Sequence, residues 1–122
     1  MTKSHQRLGR WGETLAAQYL AEHGYAVIAR NYRTHYGEID LIAMYDKTTV
    51  FVEVKTGKSG LFGRPEVSVN AKKQAHLVAA VQEYMQNHPG EQAEWRIDVI
   101  AIQVLPEPQA PVITHFENAI NV

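Results

Sequence analysis

The chain contains no cysteine. Disulfides, thiolate zinc sites and cysteine nucleophiles are excluded, and a reducing, cytoplasmic setting is the natural expectation. Long apolar runs are missing too. The opening "MTKSHQRLGRWGE" has no apolar core of the signal-peptide kind, and no later stretch approaches the roughly 18 apolar residues of a membrane span. A soluble protein without a membrane partner is expected. An excess of one charge is also absent: 12 Lys and Arg stand against 13 Asp and Glu. Binding nucleic acid simply by being basic is thereby excluded.

What is present is an average globular composition, 45% hydrophobic and 20% charged over 122 residues, which suits one domain spanning 1–122. The charges are unevenly placed. Residues 1–73 hold 11 Lys and Arg against 7 Asp and Glu, a balance of +4, and residues 74–122 hold 1 against 6, a balance of −5. One basic face and one acidic face would follow from such a split, as would chance clustering of solvated side chains.

From Ser4 to His23, Leu8, Trp11, Gly12, Leu15, Ala16, Tyr19 and Leu20 recur at the spacing of one buried helical face, and Gly24 suits the left-handed residue that ends a helix. "YAVIARNYR" (25–33), "GEIDLIAMY" (37–45) and "TTVFVEVKT" (48–56) read as strands, the last two forming a hairpin over Asp46-Lys47. "GKSGLFGRPEVS" reads as a loop. Asn70 caps a second helix running to about Asn87, with Ala71, Gln74, Leu77, Val78, Val81, Tyr84 and Met85 on one stripe and "NHPG" as its stop. Strands follow at 95–104 and 112–118. This order predicts an α/β fold: a mixed central sheet flanked by helices.

Acids inside these strands are the feature that asks for chemistry. Alternate residues share a face, so Glu38 pairs with Asp40 and Glu53 with Lys55, and in a hairpin the two faces can coincide. Three carboxylates gathered in this way raise one another's pKa unless a cation neutralises them. Without Cys, and with His residues at no ligand spacing, the cation expected is a hard one such as Mg²⁺ or Mn²⁺. Glu13 lies near the inward face of the first helix, where it adds a fourth carboxylate or pairs with Arg7 or Arg10. A wet sheet face decorated by Glu53 and Lys55 accounts for part of the pattern as well. Asp98 reads as structural, paired with Arg96 or with a base on an adjacent strand.

"GEIDLIA" and then "EVK", with twelve residues between Asp40 and Glu53, resembles the D...ExK core of the PD-(D/E)XK, or restriction-endonuclease-like, nucleases, whose core order is α-β-β-β-α-β. "GRWGETLAAQYLAEHGY", "ARNYR", "VFVEVK" and "RIDVIAI" more closely resemble the small bacterial YraN-like family, uncharacterised protein family 0102. Archaeal Holliday-junction resolvases are similar in size and in carrying a helix-one acid. The resemblance implies metal-binding roles for Asp40 and Glu53, the signature lysine at Lys55 and the extra acid at Glu13. The proline of the signature is replaced by Ile39.

By the same resemblance, Asp40, Glu53 and the Val54 backbone carbonyl would hold Mg²⁺ or Mn²⁺, with Glu13 assisting, and Lys55 would orient the attacking water. Arg30, Arg33, Lys58, Arg64, Lys72, Lys73 and Gln74 are candidate contacts to nucleic acid. The reading is a metal-dependent DNA endonuclease, resolvase-like, for which a homodimer is expected because two strands must be cut. The alternatives are a nucleic-acid-binding module without useful catalysis and a protein-interaction domain.

Overall fold

The computed structural model describes residues 3–58, 70–90 and 94–120. Helix α1 (Lys3–Glu22) buries Ala16 and Leu20 completely. It ends as the sequence predicts. Gly24 takes φ +88°, its N–H reaches the Ala21 carbonyl at 3.3 Å, and the Tyr25 N–H reaches the Leu20 carbonyl at 2.9 Å. That pair of bonds closes a Schellman turn and delivers the chain into strand β1 (Ala26–Thr34).

Strand β2 (Gly37–Tyr45) pairs antiparallel with β1, and β3 (Thr48–Gly57) pairs antiparallel with β2 across the Asp46-Lys47 turn, with Asp46 at φ +54°. Helix α2 (Ala71–Asn87) then carries the chain to β4 (Glu94–Gln103), which lies parallel to β3, and β5 (Val112–Phe116) closes the sheet antiparallel to β4. The sheet order is β1-β2-β3-β4-β5. This five-strand mixed sheet between helices is the α/β architecture expected of a restriction-endonuclease-like core. The proposed loop at 57–68 falls mostly outside the described residues, although Gly57 ends β3.

A core fills each side of the sheet. Leu41, Ala43, Val50, Val52, Ile100 and Ile102 meet α1 residues Ala16 and Leu20 on one face. Ile42, Phe51, Ile97 and Val99 meet Leu77, Ala80, Val81 and Tyr84 of α2 on the other. Each fully buried aliphatic contributes roughly 1.5–3 kcal/mol, so β3 reaches Glu53 on a rigid support. The α2 stripe differs slightly from expectation: Ala71 is exposed and Ala80 is buried. Among the described residues, no helix is long and apolar enough to cross a membrane.

Asp98 is structural, as its sequence suggests. It is fully buried and satisfied by Arg96 Nε at 3.0 Å, His115 Nε2 at 2.7 Å and the Asn118 N–H at 2.8 Å. Arg96 also bonds the Tyr25 hydroxyl at 2.7 Å and Glu117 at 2.9 Å. The network ties the start of β1, β4, β5 and the C-terminal turn together at one end of the sheet.

The other end depends on a close approach. A Cβ on Gly12 would lie 2.0 Å from Thr56 Oγ1 and 3.0 Å from Thr56 Cβ. Only glycine lets α1 lie against the end of β3. Trp11 departs from its predicted burial at the same place and is 39% exposed, because this half of α1 borders a cleft at the end of β3. Gly12→Ala is expected to lower stability by about 1–3 kcal/mol through overpacking, despite alanine's intrinsic helix advantage of about 1 kcal/mol. Urea denaturation checks this; an unchanged or raised midpoint would show that α1 shifts freely.

Candidate active site

The β2–β3 ladder runs from Tyr45↔Thr48 to Leu41↔Val52 and stops there. Beyond that point β2 stays with β1, through Tyr32↔Ile39 and Arg33↔Glu38, while β3 stays with β4, through Glu53↔Val99 and Lys55↔Ala101. The sheet forks. The Val54 N–H, left without a strand partner, donates to Asp40 Oδ2 at 2.8 Å. A carboxylate thus does the work of a backbone carbonyl.

Glu53 sits on the opposite limb of the fork and is only 5% exposed. Asp40 and Glu53 act on each other across the fork through their charges. Burial first, and then the charge of Glu53, push the Asp40 pKa up to about 8, against a smaller lowering by the Val54 N–H. Two carboxyl groups so placed share a proton or a cation.

Two ammonium groups face them. Lys73 Nζ lies 2.8 Å from Glu53 Oε2. Burial alone would lower its pKa, but the bond to Glu53 and the charges of Glu53 and Asp40 raise it overall. Lys55 is shifted the other way, lowered by burial and by Lys73. The position of Lys73 follows from Asn70, whose side chain accepts the Lys73 N–H at 2.8 Å as the N-cap of α2 and so fixes the helix's first turn.

The remaining predicted residues fall in several places. Glu13 lines the same cleft, of about 1000 Å³, with Lys55, Lys58 and Lys73. It accepts a hydrogen bond from Asn31 Nδ2 at 3.1 Å and acts on Asp40 only through its charge. Glu38 does not join the carboxylates; it pairs with Arg33 at 3.5 Å on an exposed rim. The expected gathering of three strand acids is therefore corrected to two, because divergence of β2 carries Glu38 outward.

Arg30 bonds Thr14 Oγ1 at 3.1 Å. Lys72 is exposed on the first turn of α2, and the Gln74 N–H closes that turn onto the Asn70 carbonyl at 2.9 Å. Arg64 lies outside the described residues. Sequence reasoning missed Asn31 as the partner of Glu13 and Lys73 as the partner of Glu53. Asn31 carried a usable signal, since asparagine within a strand favours the left-handed conformation it adopts here, φ +51°.

Among the described residues, no three His, Asp or Glu side chains converge into a metal cluster. The donor set that could meet a hard cation is the Asp40–Glu53 pair, in which Glu53 is buried and the Asp40 pKa is pushed up. The pair fits a divalent ion completed by backbone oxygen, water or phosphate, not a closed protein cage.

The Asp40 shift has a stability consequence. A carboxyl pKa raised on folding means the native state holds more protons than the unfolded chain between about pH 4 and pH 8. This contribution is favourable in acid and is lost as pH rises through 8. Asp40→Asn keeps an acceptor for Val54 and is expected to be more stable than wild type at pH 8, with the gap narrowing toward pH 5. Thermal melts across that range test it, and a constant offset between the two proteins would contradict it.

The chain aligns with known proteins over the segment that builds this fork. Residues 12–102, which include Glu13, Asp40, Glu53, Lys55 and Lys73, match the Uncharacterised protein family UPF0102. A UPF0102 protein of Alkaliphilus oremlandii is 43% identical over 117 residues, covering 94% of this chain and 98% of the relative. One from Syntrophomonas wolfei is 44% identical over 115 residues, covering 94% and 98%. Another, from Roseiflexus castenholzii, is 41% identical over 121 residues, covering 98% of each. With the family match spanning most of the chain and the relatives aligned almost end to end, the chain belongs to uncharacterised protein family UPF0102.

Proposed function

We propose that this protein is a metal-dependent endonuclease of the restriction-endonuclease-like superfamily, hydrolysing DNA phosphodiester bonds in a structure-specific, resolvase-like manner. The observation that carries the reading is the fork: Asp40, which accepts the Val54 N–H at 2.8 Å, and the buried Glu53 act on each other at the point where two strands part. A lysine stands two residues beyond the second acid, as in the D...ExK resemblance.

Asp40 and Glu53, with the Val54 carbonyl, would hold Mg²⁺ or Mn²⁺, and Glu13 would assist through its charge. The ion, when bound, supplies charge to polarise the phosphate and to acidify a water. Lys55, its ammonium made more acidic by burial and by Lys73, orients that water and offsets charge on the phosphate as it is attacked. The water gives a proton to solvent as its oxygen bonds to phosphorus, the bond to the leaving sugar oxygen breaks with its electron pair, and that oxygen takes up a proton from solvent. Lys58 and Lys72, with Lys73 once displaced from Glu53, meet the flanking phosphates. A homodimer would place two such centres on the two strands of a branched substrate.

One observation favours the second reading, a binding module without useful catalysis. Lys73 already supplies a cation to Glu53 at 2.8 Å, so the fork is partly neutralised without metal.

Two measurements separate these readings. In thermal melts, about 10 mM Mn²⁺ is expected to add about 1.4 kcal/mol to the wild type for a dissociation constant near 1 mM, and nothing to Asp40→Asn. In cleavage assays with Mg²⁺ or Mn²⁺ on single-stranded, duplex, flap and four-way DNA, Asp40→Asn, Glu53→Gln and Lys55→Met are each expected to slow hydrolysis by about 100-fold or more. Intact DNA in every case sinks the enzymatic reading. Salt-sensitive binding that persists in Asp40→Asn would then support the binding module.

A further inference from the structure

Trp11 lies on the stripe of α1 that periodicity assigns to the core, yet its indole is 39% exposed. It opens into the cleft beside Glu13, Lys55, Lys58 and Lys73, and Arg7, one turn away on the same helix, lines that cleft too. A side chain of this size left open forgoes much of the burial it could have. The surroundings narrow what would cover it.

Among the described residues of the lining, Arg7, Lys55, Lys58 and Lys73 stand against Glu13, and even with Lys73 paired to Glu53 this balance favours a polyanion over an apolar or cationic partner. A flat aromatic face among those cations adds a second requirement, that the polyanion also carry a free π-surface. A nucleotide whose base is not stacked within a duplex meets both. In a continuous duplex each base face is covered by its neighbours and only the edges are presented. An indole beside the backbone cations could not reach a face there without unstacking it.

We propose that Trp11 is a stacking platform for an unpaired nucleobase next to the scissile phosphate, so that the site takes single-stranded or locally opened DNA. The proposal rests on the reading of the Asp40–Glu53 fork as a phosphodiesterase centre and names the class of substrate that the centre accepts. Arg7, Lys58 and Lys73 hold the backbone while the indole holds the base. Continuous duplex, lacking a free base face, gains only the cation contacts.

The test uses the full chain with a chelator present, titrated with an oligothymidylate single strand and with its oligoadenylate duplex. The single strand is expected to bind more tightly and to quench indole emission. Trp95→Phe leaves Trp11 as the sole tryptophan of the two and should retain that quenching. Trp11→Ala is expected to weaken single-strand binding by roughly tenfold or more while changing duplex binding by less than about twofold, and Trp11→Phe should keep most of the affinity. Equal loss for both forms, or no loss for either, overturns the proposal and leaves the nuclease reading intact. Binding to neither form overturns both. Trp11-dependent single-strand binding without hydrolysis once Mg²⁺ or Mn²⁺ is added upholds the stacking role and rejects the enzyme.

Discussion

The hydrogen bond from the Val54 N–H to the Asp40 carboxylate is the interaction on which the site depends. Where β2 leaves β3, a strand edge would otherwise bury an unsatisfied donor, at a cost of about 1–3 kcal/mol. Asp40 removes that cost by taking the place of a backbone acceptor, and so the fork can open without breaking the sheet. The same bond fixes where the carboxylate sits. Once it is fixed there, Glu53 on the other limb necessarily faces it, and the two acids meet because the strands part.

That meeting needs support from elsewhere. Phe51 and Val52 on β3 and Leu41 and Ile42 on β2 are fully buried just behind the fork, so the strands cannot relax to move the acids apart. Relief comes from charge. Lys73 reaches Glu53 from the first turn of α2, and that turn is held by the Asn70 cap. Glu13 lies farther out, engaged with Asn31, and adds to the negative field without joining the pair. Lys73 stays half-exposed while it pairs with Glu53, so its ammonium is held at the surface and not sealed within the core.

The elements were legible in the sequence because their periodicities are clean. Gly24, Asn70 and Asp46 act at the boundaries as their backbone preferences predict, and β2 runs over the residues expected, Gly37–Tyr45. What could not be read was geometry that arises between elements. The alternation of Glu38 and Asp40 suggested a shared cluster, but β2 has left β3 before it reaches Glu38 and stays with β1, where Arg33 stands opposite Glu38 and pairs with it. Trp11 fits a helical stripe and is nevertheless left open, because burial depends on how far the sheet extends beneath the helix. Lys73 looked like one surface base among several, since nothing local reveals that α2 begins over Glu53.

Two nearly identical pentapeptides show how far local sequence can reach. "IDLIA" at 39–43 and "IDVIA" at 97–101 each place one aspartate in an apolar strand. Burial pushes both carboxyl pKa values upward. At Asp98, bonds from His115, the Asn118 N–H and Arg96 overcome burial and hold the pKa below its ordinary value. At Asp40 a single N–H is outweighed by burial and Glu53, and the pKa rises to about 8. Asp98 has every partner it needs within the fold, so it stabilises the fold and has no use for a ligand. Lys55 and Lys73 reach Asp40 only through their charge, and that is too little to hold its pKa down. The difference lies in the facing elements: a histidine on β5 and an arginine two residues away for one, a second carboxylate for the other. The two aspartates therefore differ in how far the fold satisfies them, and not in the local sequence that carries them.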